Sequence, residues 1–204
     1  DTMNPLITQN KDIINIDTLI YEPLFTLTKD YQLQPCLAKE CSKTGDKIYV
    51  VKTATNVCWH DNTPFTAKDI AFTIDLLKNG NSVYSYNVTH VAETEVIDAT
   101  TLKITLDSDI PFFEYNLIFP IMSNNYYFGE DFYSSSKMPI GTGRYKITNI
   151  STNNVTLAKF DKWKSSTGVE ELKLDNIKIN LYIKASPCFI LLTAKFSKNC
   201  QPIS

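Results

Sequence analysis

Arginine is almost absent from this 204-residue chain, because only Arg144 of its 20 basic residues is an arginine. Arginine is the side chain that recognises phosphates and base edges through two parallel hydrogen bonds. The 22 acidic residues also outnumber the basic ones, which gives a formal net charge of −2. The sequence therefore lacks the basic surface that nucleic-acid binding requires, and we expect no nucleic-acid partner.

Long apolar runs are missing as well. The longest, Leu117–Met122 and Cys188–Leu192, fall far short of the roughly 18 residues that a membrane span needs. The chain does not open with the basic and then apolar segments of a signal peptide, so we expect none in it. Its 43% hydrophobic and 12% aromatic content is instead typical of a globular chain with a sizeable core.

Catalytic and metal-binding motifs are sparse. The five cysteines are Cys36, Cys41, Cys58, Cys188 and Cys200. An odd number cannot form a closed disulfide set, and no CxxC pair suggests zinc or redox chemistry. A cysteine-dependent hydrolase built on Cys58 with His60 or His90 stays open as an alternative, although no spacing places an imidazole beside the thiol. We predict no catalytic residue, no metal site and no cofactor, and a protein that is not an enzyme.

The apolar pattern predicts a strand-rich chain with one secure helix over Ala67–Asn79. Thr66 is a good N-cap for this helix, Asp69 completes a capping box, and Gly80 ends it. Strands are predicted at Leu19–Leu27, Lys47–Thr53, Val88–Ile97, Thr101–Leu106, Arg144–Ile150, Val155–Phe160 and Ile177–Ile183. Polar segments are predicted up to Asp17, from Pro35 to Asp46 and over Ser123–Met138, with a short helix at Pro111–Phe119.

Glu22 is out of place in its predicted strand, because a carboxylate there lies between Tyr21 and the residues Pro23, Leu24 and Phe25. Pro23 cannot donate a ladder hydrogen bond, so the strand must have an edge or an open face at this point. Glu22 either faces an opening or lies on the exposed face of an edge strand.

Several motifs resemble those of one family in the same order along the chain. They are Tyr21–Phe25, Pro35–Ala38, the segment VCWHDNTPFTAKDI over Val57–Ile70, Pro139–Tyr145 and Trp163. This ordered set resembles the extracellular solute-binding proteins of peptide ABC transporters, the oligopeptide- and dipeptide-binding group, over its N-terminal portion only. Asn62 and Arg144 stand where that family usually has Gly and Pro, and Cys41 stands where Trp is usual. Asn tolerates positive φ, so the turn at Asn62 is compatible with the family's glycine.

The resemblance implies an α/β fold, namely the first lobe of a type II periplasmic-binding-protein-like fold with an inserted subdomain and a strand-rich mixed sheet. The lobe core would comprise residues 1–32 and 139–184, and the insert residues 33–138. Residues 185–204 would form a divergent tail in place of the second lobe. The residues that the resemblance brings to the ligand cleft are Asn4, Tyr21, Glu22, Pro23, Leu24, Tyr84, Gly141, Thr142 and Gly143. Backbone groups of the Glu22 strand would pair with an extended peptide, a mode that accepts many side chains.

The implied function is the substrate-binding component of an ABC importer, which captures oligopeptides and delivers them to a membrane permease. The expected location is extracellular, either lipid-anchored at a bacterial cell surface or periplasmic, and the expected state is monomeric. With one lobe the chain would be truncated and impaired in ligand binding. Other readings stay open: the same fold for a different solute (a dipeptide, a nickel complex or a sugar), the cysteine hydrolase, or a surface adhesion domain.

Overall fold

The computed structural model describes residues 3–151, 154–164, 174–180 and 193–195. The helices are α1 (Lys11–Ile20), α2 (Ala67–Asn79) and the four-residue α3 (Asn124–Tyr127), with single 3₁₀ turns at Ser85–Val88 and Phe113–Asn116. The strands are β1 (Phe25–Leu27), β2 (Leu33–Pro35), β3 (Ala38–Gly45), β4 (Ile48–Thr53), β5 (Val91–Val96), β6 (Thr101–Leu106), β7 (Tyr145–Ile150), β8 (Asn154–Lys159), β9 (Asn176–Asn180) and β10 (Thr193–Lys195).

Two four-stranded sheets and one small hairpin organise these elements. One sheet has the order β3-β4-β6-β5, the other β10-β9-β8-β7, and β1 pairs with β2. Every pairing among the described strands is antiparallel. Helix α2 packs on β5 and β6, whereas α1 packs on β7, and one continuous apolar core joins both sheets. The strand-rich α/β class predicted from the sequence is confirmed.

Helix α2 begins and ends where the sequence predicts. Asp69 Oδ2 accepts from the Thr66 backbone N–H at 2.7 Å, which forms the predicted capping box. Ile70, Ile74 and Leu77 lie buried on one stripe, because positions three and four apart share a helix face. Asn62 has φ 70°, as expected for a residue in the place of a glycine.

The prediction for the first 27 residues is wrong over Lys11–Ile20, whereas the end of the predicted strand is confirmed as β1 at Phe25–Leu27. Helix α1 occupies part of the segment predicted as a polar loop, and it continues through Leu19 and Ile20, which were predicted to be in a strand. Asn10 caps it by accepting from the Asp12 N–H at 3.0 Å. Three of its four isoleucines, Ile13, Ile16 and Ile20, are buried on one helical stripe. Glu22 therefore lies in the connection between α1 and β1, and not in the middle of a strand.

Other differences are smaller. The predicted connector from Pro35 to Asp46 contains β3, an edge strand of its sheet whose residues are mostly polar and exposed. The helix predicted at Pro111–Phe119 is one 3₁₀ turn, and the loop predicted at Ser123–Met138 contains α3. Both hairpins and the strands β4 and β9 are confirmed, although residues 181–183 of the last predicted strand lie outside the described residues.

Candidate ligand-binding site

The turn after α1 meets the glycine segment 141–143. Gly143 N–H donates to the Ile20 carbonyl at 2.8 Å. A Cβ at Gly141 would lie 1.9 Å from that carbonyl oxygen, and one at Gly143 2.7 Å from the Leu19 oxygen. The two backbones approach this closely because both residues are glycines. The structure thus brings together two segments that the sequence places 120 residues apart and predicts for the same site.

His60 fastens this glycine segment to the turn before α2. Its backbone N–H donates to the Gly141 carbonyl at 2.9 Å, and Gly141 N–H donates to Nδ1 at 3.1 Å. Since Nδ1 accepts, Nε2 carries the proton and donates to the Gly143 carbonyl at 2.9 Å. Burial lowers the pKa of His60 to about 4, so the ring is neutral at neutral pH.

Neither histidine is arranged as a partner for Cys58. Both ring nitrogens of His60 bind backbone groups, and His90 pairs with Asp107 at 3.0 Å on the exposed surface. Cys36, Cys41 and Cys58 are free thiols. In the part of the chain that the structure describes, no group of three or more His, Cys, Asp or Glu side chains could hold a metal ion.

Glu22 binds the indole of Trp163. Its Oε1 accepts from Trp163 Nε1 at 2.9 Å, and the Arg144 guanidinium lies 4.9 Å from the centre of the Trp163 ring. Burial raises the pKa of Glu22, although the hydrogen bond from Trp163, the nearby Thr142 hydroxyl and the charge of Arg144 each lower it. The Thr142 hydroxyl itself is buried without a hydrogen bond of standard geometry in the described structure. Glu22 is thus a half-buried carboxylate and not the exposed edge residue that was the alternative.

Two cavities flank Glu22. One of about 510 Å³ is lined by Glu22 and Thr142 together with Trp163, residues 35–39 and residues 54–58. The other, of about 280 Å³, is lined by five of the predicted residues: Tyr21, Glu22, Pro23, Tyr84 and Gly143. Glu22 and Cys36 line both cavities, so the carboxylate stands between the two spaces that a solute could enter.

The backbone of the Glu22 segment is already paired. The Glu22 carbonyl accepts from Ile121 N–H, the Pro23 carbonyl from Leu37 N–H, and the Leu24 carbonyl from Cys36 and Ala38. These carbonyls are therefore already occupied by the chain, and the pairing of this segment with an extended peptide stays a prediction. The chain itself occupies the edge, because Pro23 pairs with Pro120 in an isolated antiparallel bridge.

Leu24 and Asn4 have structural roles in this arrangement. The Leu24 side chain is fully buried in the core. Asn4 Oδ1 accepts from Leu6 N–H at 3.0 Å within its own turn, and Asn4 lines a separate 230 Å³ cavity with Tyr21. Their assignment to the ligand site stays a prediction.

Three residues of this region were not among the predicted site residues: Asp17, Arg144 and Trp163. Asp17 is 4% exposed and lines the 280 Å³ cavity, on the buried stripe of α1. The sequence does place the Asp17 carboxylate on the same helical stripe as Ile13, Ile16 and Ile20. This placement indicates a buried carboxylate only if the segment is recognised as a helix. In the sequence, Arg144 is notable only because it departs from a family motif, and Trp163 only because it matches one.

Most of this chain matches one known protein family. Residues 32–192 match the family model described as bacterial extracellular solute-binding proteins, family 5 Middle. The chain belongs to the bacterial extracellular solute-binding proteins of family 5. No helix among the residues that the structure describes is long and apolar enough to cross a membrane.

This family 5 protein is 32% identical over 151 residues to the glutathione-binding protein GsiB of Escherichia coli (strain K12). The match covers 69% of this chain and 28% of GsiB, so the chain spans less than a third of that relative's length. Its structure is similar to NikZ from Campylobacter jejuni, solved in complex with Ni(L-His), with a TM-score of 0.76 and 25% identity over 87% of this chain and 36% of NikZ.

The oligopeptide-binding protein AppA from Bacillus subtilis, solved with a nonapeptide, has the same fold. Its TM-score is 0.74 with 19% identity, covering 87% of this family 5 chain and 37% of AppA. Together these structures confirm the predicted type II periplasmic-binding-protein fold, matched over part of its length.

Proposed function

We propose that this chain is part of the substrate-binding component of an ABC importer, which captures oligopeptides and delivers them to a membrane permease. The proposal rests on membership of family 5 together with one feature of the structure. That feature is the group of Glu22, Arg144 and Trp163 between two cavities.

The Glu22, Arg144 and Trp163 side chains supply what a peptide ligand needs. A carboxylate accepts from the indole N–H and a guanidinium lies over the indole ring, so both charged and apolar parts of a peptide find a partner. The two cavities beside Glu22 give room for side chains. Because no single side-chain shape is imposed, acceptance of varied peptides follows.

A different solute on the same fold is the second candidate. The relative GsiB is named for glutathione and NikZ was solved with Ni(L-His), so related sites serve ligands other than oligopeptides. A dipeptide or a sugar belongs to the same alternative.

The proposed division of the chain is supported by its sheets. The sheet β3-β4-β6-β5 and helix α2 all come from residues 33–138, the proposed insert. Strands β7, β8 and β9 come from residues 139–184, which with residues 1–32 would form the lobe core. The family is extracellular, and for this protein we further propose a monomer that is lipid-anchored at the cell surface or periplasmic.

An NMR titration of the indole N–H signals tests the proposal, because the sequence has only two tryptophans. Trp163 binds Glu22 between the cavities, whereas Trp59 is buried against Phe65 and lines neither cavity. With millimolar di- to hexapeptides we expect the Trp163 signal to shift and the Trp59 signal to stay. Ni(L-His) is titrated in parallel to test the alternative.

Variants assign the shift to the site. Glu22→Gln is expected to weaken the peptide response at Trp163. The control is Glu40→Gln, which is expected to leave the response unchanged, because Glu40 is an exposed residue of β3 that pairs with Lys52. A response to Ni(L-His) and to no peptide would favour the other-solute reading. Silence of Trp163 toward all peptides would reject the proposal.

A further inference from the structure

Asp17 is a buried carboxyl group without a partner. It lies in the last half of α1 and is 4% exposed. Neither of its carboxylate oxygens has a hydrogen-bond partner in the described structure. Most buried polar side chains are paired, so an orphaned carboxyl group in the wall of a cavity calls for a physical account.

The charged form of Asp17 is unfavourable at this buried position. Burial raises the pKa of Asp17 to about 8, so the group is mostly protonated at neutral pH. The single arginine of the chain lies on the same cavity, where it stacks on Trp163. No lysine lies among the residues that line this cavity.

The rest of the cavity fits a cation better than an anion. The Tyr21 hydroxyl is also buried without a partner among the described residues. Tyr84 lines the same space, where burial and then the charge of Asp17 raise its pKa. Pro5, Ile14 and Ile118 make apolar walls. Phenol oxygens and ring faces both attract ammonium groups.

We propose that Asp17, with Tyr21, binds a primary ammonium group of the solute in the 280 Å³ cavity. This inference rests on the proposed function, because it names the chemical group that the captured peptide presents. The ammonium gives the buried carboxylate an opposite charge and a hydrogen-bond donor, and among the described residues its oxygens have no such donor. The amino terminus of a peptide and a lysine side chain carry the same group, and the experiment separates them.

Binding is coupled to loss of a proton. When the ammonium enters, the Asp17 carboxyl ionises and its proton passes to the buffer, so a salt bridge replaces a neutral acid. Tyr21, Tyr84, Glu22, Cys36 and Arg144 are the other titratable or charged groups on this cavity besides Asp17, and burial raises the pKa of Cys36 to about 12. The pKa of each tyrosine is raised from 10, so neither titrates between pH 6 and pH 7.

The experiment uses three probes of equal length: Ala-Ala-Ala, N-acetyl-Ala-Ala-Ala and N-acetyl-Ala-Lys-Ala. The side-chain carboxyl carbon of Asp17 is followed by carbon NMR in aspartate-labelled protein. We expect an amine-bearing probe to move the Asp17 titration midpoint below pH 7. We also expect its apparent affinity to rise about tenfold from pH 6 to pH 7, as the ionised fraction of Asp17 rises tenfold while the amine stays charged.

Variants isolate the carboxylate. Asp17→Asn keeps the shape of the neutral acid and is expected to remove the pH dependence and the preference for the amine. Asp12→Asn, on the first turn of the same helix, is the matched control and keeps both. If Asp17→Asn does not fold, the shift of the Asp17 titration midpoint in the unaltered protein still tests the inference.

The outcomes separate this inference from the proposed function. Preference for Ala-Ala-Ala assigns the site to the amino terminus, and preference for the lysine probe assigns it to a side chain. Equal binding of all three probes with an unmoved Asp17 midpoint overturns the inference and leaves peptide capture standing. No binding of any probe overturns both.

Discussion

At the scale of single residues, His60 holds the candidate site together by a neutral ring. Gly141 N–H points at Nδ1, so a proton on that nitrogen would face another donor and break the contact. The nearest charges act in opposite directions, because Lys146 lowers the pKa of His60 and Asp61 raises it. Burial dominates, which leaves the folded-state pKa at about 4 against 6.5 for an ordinary histidine.

This pKa difference predicts an acid sensitivity. Between pH 6.5 and about 4, His60 binds a proton in the unfolded chain but not in the folded chain. The free energy of unfolding therefore falls as the pH falls. The loss reaches about 3 kcal/mol at the acid end of this window. Urea unfolding of the protein and of His60→Gln at pH 7 and pH 4.5 measures it. The exposed His90→Gln serves as control, and equal pH slopes for all three proteins would contradict the prediction.

Gly141 is expected to tolerate no side chain. The Cβ of Gly141→Ala would lie 1.9 Å from the Ile20 carbonyl oxygen, which is backbone and cannot turn away. Overpacking of this kind costs about 1–3 kcal/mol, so we expect a loss near 2 kcal/mol in the free energy of unfolding. Gly45→Ala is the matched control, because its Cβ would meet Ile48 Cδ1 at an ordinary 3.5 Å. A urea midpoint for Gly141→Ala equal to that control would refute the close approach.

At the scale of elements, α2 was predictable and α1 was not. Thr66, Asp69 and Gly80 mark the ends of α2 by local chemistry, and its apolar residues repeat at helical spacing. Helix α1 has an equally good cap in Asn10, but Tyr21–Phe25 follows directly and its β-type composition extended the predicted strand backward. The β3 strand escaped prediction because an exposed edge strand carries mostly polar residues.

The capping box of α2 also joins two elements, which predicts unequal effects of its two members. Thr66→Ala removes a cap and is expected to cost about 1 kcal/mol. Asp69→Ala is expected to cost about 2–3 kcal/mol, because its buried carboxylate also accepts from Asn124 N–H at 2.8 Å at the start of α3. Thermal and urea unfolding compare the two. Asp75→Ala, exposed on the same helix, is the control, and equal costs for Thr66→Ala and Asp69→Ala would show that the link to α3 is weak.

At the scale of the whole molecule, the site is made by contacts that no local pattern contains. Glu22 meets Trp163 across 141 residues and His60 meets Gly143 across 83. The family motifs pointed to several of these residues, because a chain that carries the motifs in the family's order is expected to place them as the family fold does. Asp17 carried no motif, so only the folded cavity shows its position.

The open cavities beside Glu22 predict that this polypeptide binds peptides weakly. Its match covers 28% of the length of GsiB, and the cavities beside Glu22 are open spaces on the described part of the chain. High affinity for a small ligand requires most of its surface to be buried, whereas an open cavity leaves much of a peptide in water. We therefore expect the 204-residue polypeptide to fold and to bind di- to pentapeptides with millimolar affinity, orders of magnitude weaker than an enclosing site. Isothermal titration of Ala-Ala-Ala, with Trp163→Ala to confirm the site, measures this affinity. Micromolar binding that Trp163→Ala abolishes would show instead that the Glu22, Arg144 and Trp163 group is sufficient by itself.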